Sequence, residues 1–166
     1  MNLHHNNMKL ISQHMQSWTA SKLSCLGIYE CNYSRFDLKK SKWLVFPMHY
    51  AWYCEYMEQG LDASLISRLK RGTHYWDHTT KIYRKYNRFI NTVDIYNPHR
   101  LDIVLEAKEG FEMLTVSSDH LLLLPEYMQI QKALRELSDQ AQPIVQNKPH
   151  LTLDLRGAWT ELEVGQ

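Results

Sequence analysis

Leu101-Asp102-Ile103-Val104-Leu105 and Phe111-Glu112-Met113-Leu114-Thr115-Val116, joined through Glu106 to Gly110, decide the fold. Both runs are rich in strand formers, and the connection is short and contains glycine, so the pair predicts an antiparallel hairpin. Upstream, Leu26-Gly27-Ile28-Tyr29-Glu30-Cys31-Asn32-Tyr33 and Lys42-Trp43-Leu44-Val45-Phe46 read as two further strands, the second stopped by Pro47. Phe36-Asp37-Leu38-Lys39-Lys40-Ser41 between them reads as a solvated loop.

Helices are expected around these strands. Met8, Ile11, Met15, Trp18 and Leu23 recur at near-helical spacing over residues 8–23. Met48 to Gln59 and Ser64 to Arg71 follow, separated at Gly60 and ended at Gly72. Over 79–93, Ile82, Tyr83, Tyr86, Phe89, Ile90 and Val93 share one face, with Lys81, Arg84, Lys85 and Arg88 on the other. A long helix starts near Pro125 and runs through Met128, Ala133, Leu134 and Leu137 toward Pro143. Strands in adjacent pairs, with helices before, between and after them, predict an α+β chain: an α/β/α sandwich whose central antiparallel sheet is flanked by helices. One domain over 1–143 and a C-terminal tail over 144–166 are expected from 166 residues.

Nineteen basic against eighteen acidic side chains give a formal charge of +1, without the field that binding to nucleic-acid phosphates needs. The four cations of residues 81–88 read as a solvated helix face. No apolar run has the length of a membrane span, and Met1-Asn2-Leu3-His4-His5-Asn6-Asn7 lacks the pattern of a signal peptide, so a cytoplasmic protein is expected. Cys25, Cys31 and Cys54 are odd in number and form no C-x-x-C pair, which argues for reduced, mostly buried thiols.

Residues 43–96 hold twelve of the nineteen aromatic side chains. Such a density suits either the wall of a pocket or an aromatic core, because Tyr and Trp bring large apolar area together with one polar atom. Signals for chemistry are weaker. His74 and His78 stand four apart, but without a Glu after the first His or an evident third ligand, so no metal is expected. Cys54 with His49, or Ser117-Ser118 with Asp119-His120, can be drawn as nucleophile and base, yet no G-x-S-x-G elbow or phosphate loop is present. No catalytic residue and no cofactor is expected. A small hydrolase-like enzyme and a protein-interaction or immunity module are the alternatives to a ligand pocket.

One stretch resembles the autoinducer-binding domain of LuxR-type quorum-sensing regulators, in which Tyr-Pro-x-x-Trp-x-x-x-Tyr leads into Asp-Pro, then a Trp, a helix and a hairpin. Here the corresponding residues are Phe46-Pro47-Met48-His49-Tyr50-Ala51-Trp52-Tyr53-Cys54-Glu55-Tyr56, then Leu61-Asp62-Ala63, then Tyr75-Trp76-Asp77, and a hairpin ending in Met113-Leu114-Thr115-Val116-Ser117. Asp62-Ala63 stands where the family has Asp-Pro. The resemblance covers roughly residues 25–140 and lies in aromatic types, spacing and element order. It implies a small apolar or amphipathic ligand, of acyl-homoserine-lactone type, lined by Phe46, Tyr50, Trp52, Tyr56 and Trp76. Trp76 would sit by the polar head, Asp62 would accept from a ligand amide and Thr115 would donate to a carbonyl. It also implies a stand-alone regulator: residues 144–166 are too few for a helix-turn-helix, so direct DNA binding is not expected. Pairing through the sensor domain would give a homodimer, and a heterodimer with a full-length regulator would act as an antagonist.

Overall fold

The computed structural model describes residues 6–77, 79–92, 99–147 and 152–154. The hairpin is there, longer than its apolar runs: β4, His99–Ala107, turns through Lys108 and Glu109 into β5, Gly110–Ser118. A Cβ at residue 110 would meet the Phe36 carbonyl oxygen at 1.9 Å, so only glycine fits at this close approach. Strand β1, Ile28–Asp37, pairs antiparallel with β5 on one side and with β2, Lys42–Phe46, on the other. The short β3, Gly72–Tyr75, borders β4, and β6, Leu153–Asp154, borders β2. The antiparallel order is thus β3-β4-β5-β1-β2-β6.

Among the described residues four α-helices cover this sheet: α1, Asn6–Lys22; α2, Tyr50–Glu58; α3, Lys81–Thr92; and α4, Leu124–Asn147. A 3₁₀ segment, Leu61–Arg68, follows α2. Alternating strand positions divide the interior into two cores. Leu101, Ile103, Leu114, Val116, Tyr33, Leu44 and Phe46 meet Met15 and Trp18 of α1 and Ile130, Leu134 and Leu137 of α4. Val104, Met113, Phe36, Trp43 and Val45 meet Tyr53, Tyr56 and Met57 of α2, Leu61 and Leu65, and Tyr83, Tyr86 and Phe89 of α3. The result is the three-layer α/β/α sandwich, with the aromatic residues concentrated in one layer.

Several boundaries moved. Phe36 and Asp37 continue β1, because they pair with Trp43 and Lys42, and the turn is confined to residues 38–41. Within it, the Asp37 carboxylate accepts from the Lys40 backbone N–H at 2.9 Å, a local bond that replaces the lost ladder. The segment expected as a helix over 64–71 is 3₁₀ and ends at Arg68. His74 lies in β3, opposite Asp102. Helix α4 does not stop at Pro143 but runs to Asn147; the carbonyl that Pro143 leaves without its N–H belongs to exposed Asp139, where solvent can serve it. The segment read as a tail contributes β6. Cys25 is exposed, whereas Cys31 is buried and Cys54 half-buried, and all three are free thiols. Among the described residues no helix is long and apolar enough to cross a membrane.

Candidate functional site

The sheet face beneath α2, the 3₁₀ segment and α3 carries two polar rows. Asp102 of β4 lies opposite Thr115 of β5, which lies opposite Asn32 of β1; Arg100, Ser117 and Glu30 form the next row. Because strand side chains alternate, these six residues share one face while their apolar neighbours Leu101, Ile103, Leu114 and Val116 point into the other core. Each row holds one buried ion pair.

In the first row, Arg68, the last residue of the 3₁₀ segment, grips Asp102 through two parallel bonds, Nε to Oδ2 at 2.9 Å and Nη2 to Oδ1 at 2.6 Å. The same Nη2 donates to the Thr115 hydroxyl at 3.1 Å, which donates onward to Asp102 at 2.6 Å. Arg68 and Asp102 are 4% and 0% exposed. Burial works against the Arg68 charge, but the Asp102 carboxylate overrides it and holds the guanidinium above its ordinary range. In the second row, Arg100 pairs with Glu30 through Nη2 and donates from Nε to Ser117 at 3.0 Å, and Ser117 donates to Glu30 at 3.0 Å. Asn32 donates to the other Glu30 oxygen at 3.3 Å. Burial lowers the Arg100 pKa, and Glu30 only partly offsets this; an arginine nevertheless stays charged.

Aromatic rings roof these rows. Trp43 and Tyr53 have ring centroids 5.9 Å apart, Trp52 and Tyr56 5.5 Å, Tyr56 and Tyr86 6.0 Å, and Trp76 and Tyr83 5.5 Å. Arg68 Cζ lies 4.5 Å from the ring centroids of both Trp76 and Tyr86, and Arg100 Cζ 5.0 Å from that of Trp76. These cation–π contacts tie roof to floor. Between them lies a cavity of about 40 Å³ lined by Trp43, Trp52, Tyr53, Tyr56, Trp76 and Thr115, with Arg68, Asn32 and Ser34 on its polar side. The Nε1 atoms of Trp43, Trp52 and Trp76 and the Nη1 atom of Arg100 are buried without a hydrogen-bond partner. Buried donors are normally paired, so four orphaned N–H groups in one neighbourhood call for an explanation.

The structure therefore brings together Trp52, Tyr56, Trp76 and Thr115 from the expected ligand set. Two other members are corrected. Phe46 faces the opposite core, where it packs against Tyr33 with centroids 5.5 Å apart, because β2 directs Trp43 and Val45 to the cavity and Leu44 and Phe46 away from it. Tyr50, at the first position of α2, lies one turn before Tyr53 beside Cys54 and does not line the cavity. Thr115 donates to Asp102 here, within the floor network. The Asp62 side chain lies outside the described residues. Trp43, Tyr53, Arg68, Arg100, Glu30 and Asp102 were not singled out from the sequence. Polar residues at alternate positions of apolar strands, 30/32, 100/102 and 115/117, were the available signal.

The drawn catalytic groupings are arranged for other ends. The Ser117 hydroxyl is held by Arg100 and Glu30, and the Ser118 hydroxyl donates to the His120 carbonyl oxygen at 2.7 Å. The half-buried His120 ring contacts Asp119 at 2.5 Å and Glu126 at 3.0 Å, and hydrogen bonds to Asp119 and then Glu126 raise its pKa. Glu126 also accepts from the Leu123 backbone N–H at 2.5 Å, the reach-back that caps the start of α4. Among the described residues no cluster of three or more His, Cys, Asp or Glu could hold a metal; His74 contacts the Lys70 carbonyl oxygen at 2.5 Å, and His78 lies outside the described residues. A second hollow of about 350 Å³, between α1 and the start of β1, is lined by Gln16, Thr19, Tyr29, Met48 and Asp119 and has no comparable aromatic roof. Comparison with protein-family models and with curated proteins finds no match.

Proposed function

We propose that the protein is a non-enzymatic, ligand-sensing domain of the cytoplasm, similar to the autoinducer-binding domains of LuxR-type regulators, and that the aromatic-roofed cavity is its ligand site. The observation that carries this reading is the set of orphaned donors on three residues that line the cavity, Nε1 of Trp43, Trp52 and Trp76. A ligand oxygen among them would satisfy groups that otherwise cost free energy where they stand. The cavity of about 40 Å³ exceeds the ~10–15 Å³ that one water needs and falls well short of the ~300–1,000 Å³ of a drug-sized site. Ligand entry on this account moves the roof, α2 through α3, away from the sheet, with the Arg68–Asp102 pair as the fastening that holds it down.

Quorum sensing and transcription regulation enter with the same resemblance. Leu121, Leu123, Leu124 and Met128 are all exposed around the start of α4, and this apolar surface supports a homodimer, or a heterodimer with a full-length relative. The same surface favours a second reading, an interaction module whose aromatic layer is only a core. Native mass spectrometry of the purified protein separates the two. The proposal expects a dimer carrying a small molecule that is lost on unfolding; a bare monomer at tens of micromolar contradicts both the ligand and the pairing.

A further inference from the structure

The turn from β5 into α4 is fastened by a histidine set between two carboxylates. His120 Nδ1 meets Asp119 Oδ1 at 2.5 Å, and its Nε2 meets Glu126 Oε1 at 3.0 Å. With its other oxygen Glu126 accepts from the Leu123 backbone N–H, so the ring ties the exit of the strand to the first turn of the helix. The clasp is seated on backbone. The Asp119 N–H donates to the Gly27 carbonyl oxygen at 3.1 Å, and a Cβ at residue 27 would meet Asp119 Oδ1 at 2.2 Å and His120 Cε1 at 2.9 Å. We infer that His120 is a pH switch for the segment 119–126, closed when the ring is protonated and released when it is neutral, and that it thereby controls how the exposed leucines of this segment are presented.

The chemistry of imidazole carries this. Carboxylates only accept, and a neutral ring has one N–H, so it can serve one of the two and turns a lone pair toward the other. Only the imidazolium satisfies both contacts as they stand. Asp119 faces the ring from the end of β5 and Glu126 from α4; Tyr29 of β1 feels the Asp119 charge, and His99 of β4 lies opposite Ser118. Among the described residues no Lys or Arg pairs with either carboxylate. The two hydrogen bonds hold the His120 pKa above its ordinary 6.5, so the clasp is complete in acid and is lost as pH rises through that raised value. Leu121, Leu123 and Leu124 are 60%, 66% and 75% exposed, while Leu122 is buried beneath α1 and α4. Acid therefore orders this apolar surface and favours pairing, a consequence that rests on the proposal that the surface joins two copies of the chain.

The test follows the His120 ring by NMR, with its signal identified by its loss in His120→Gln, and the amides of 119–126 by hydrogen exchange corrected for intrinsic rates, at pH 6 and pH 8.5. Wild-type His120 is expected to titrate above 6.5 and to move down in Glu126→Gln, which keeps an acceptor for the Leu123 N–H. Protection of the segment should fall severalfold at the higher pH in wild type and stay level in His120→Gln. Titration at or below 6.5, or protection in wild type that ignores pH, overturns the switch. Sedimentation of both proteins reads the consequence: pairing that weakens with pH in wild type alone supports it, and pairing equally strong at both pH values overturns the control of the surface. A monomer at both values removes the pairing proposal itself, while titration and exchange still decide the switch.

Discussion

Replacing Asp102 by alanine is expected to cost about 3–5 kcal/mol of folding stability, because it leaves the Arg68 guanidinium buried without its counter-ion. Arg68 would keep its rings, Trp76 and Tyr86 at 4.5 Å, but cation–π attraction of roughly 0.5–2 kcal/mol cannot replace two charge-assisted bonds. Thr115 would also lose its acceptor. The double replacement Arg68→Met with Asp102→Leu removes both charges and substitutes apolar volume, so much of the loss should return even though each single change is severe. Urea unfolding of the two single variants and the double variant measures this. A loss below about 1 kcal/mol in Asp102→Ala would mean that the pair is solvated and does not fasten the roof to the sheet.

Leu114→Ala should cost a comparable amount, about 2–5 kcal/mol, by a different mechanism. Leu114 is fully buried in the core beneath α1 and α4, with Tyr33 and Ile103 opposite it on the neighbouring strands. Truncation leaves a cavity among close-packed groups that can collapse only in part. The neighbours Met113 and Thr115 point to the other face, so ligand affinity should be unchanged in the folded variant. Denaturant unfolding combined with a ligand titration checks both halves. A variant that keeps its stability would refute the division of the interior into two cores, and one that keeps stability but loses affinity would put Leu114 on the cavity side.

Much of the architecture was legible in local sequence. The hairpin at 101–116, the strand at 42–46 and the helices at 8–23 and 79–93 announce themselves because their apolar periods are long enough to exceed noise. Helix α3 is a clear case: Tyr83, Tyr86 and Phe89 are buried while Lys81, Arg84, Lys85 and Arg88 are exposed. Strand β3 was not legible. Gly72-Thr73-His74-Tyr75 alternates between half-buried and exposed, and its strand character comes from β4, about thirty residues away. Strand β6, of two residues, exists only as the partner of β2.

The site was legible in composition and illegible in direction. Aromatic density over 43–96 marks a layer, but which face a ring joins depends on strand parity and on which helices lie on that face. Phe46 and Val45 are neighbours in sequence and belong to opposite cores. The ion pairs were hidden for a related reason. Charged residues ordinarily mark surface, and nothing local to Arg68 or to Asp102, thirty-four positions apart, says that they meet.

The claim that matters most is that the orphaned indole N–H groups serve a ligand rather than the packing of a core. Calorimetric titration of wild type and Trp76→Phe with the compound recovered from the purified protein tests it most directly. Phenylalanine keeps most of the ring stacked on Tyr83 and removes one donor that has no partner within the described structure. The account predicts a folded variant whose affinity falls by about 1–2 kcal/mol, roughly tenfold. Equal affinity of the two proteins would contradict it and return Trp76 to the core.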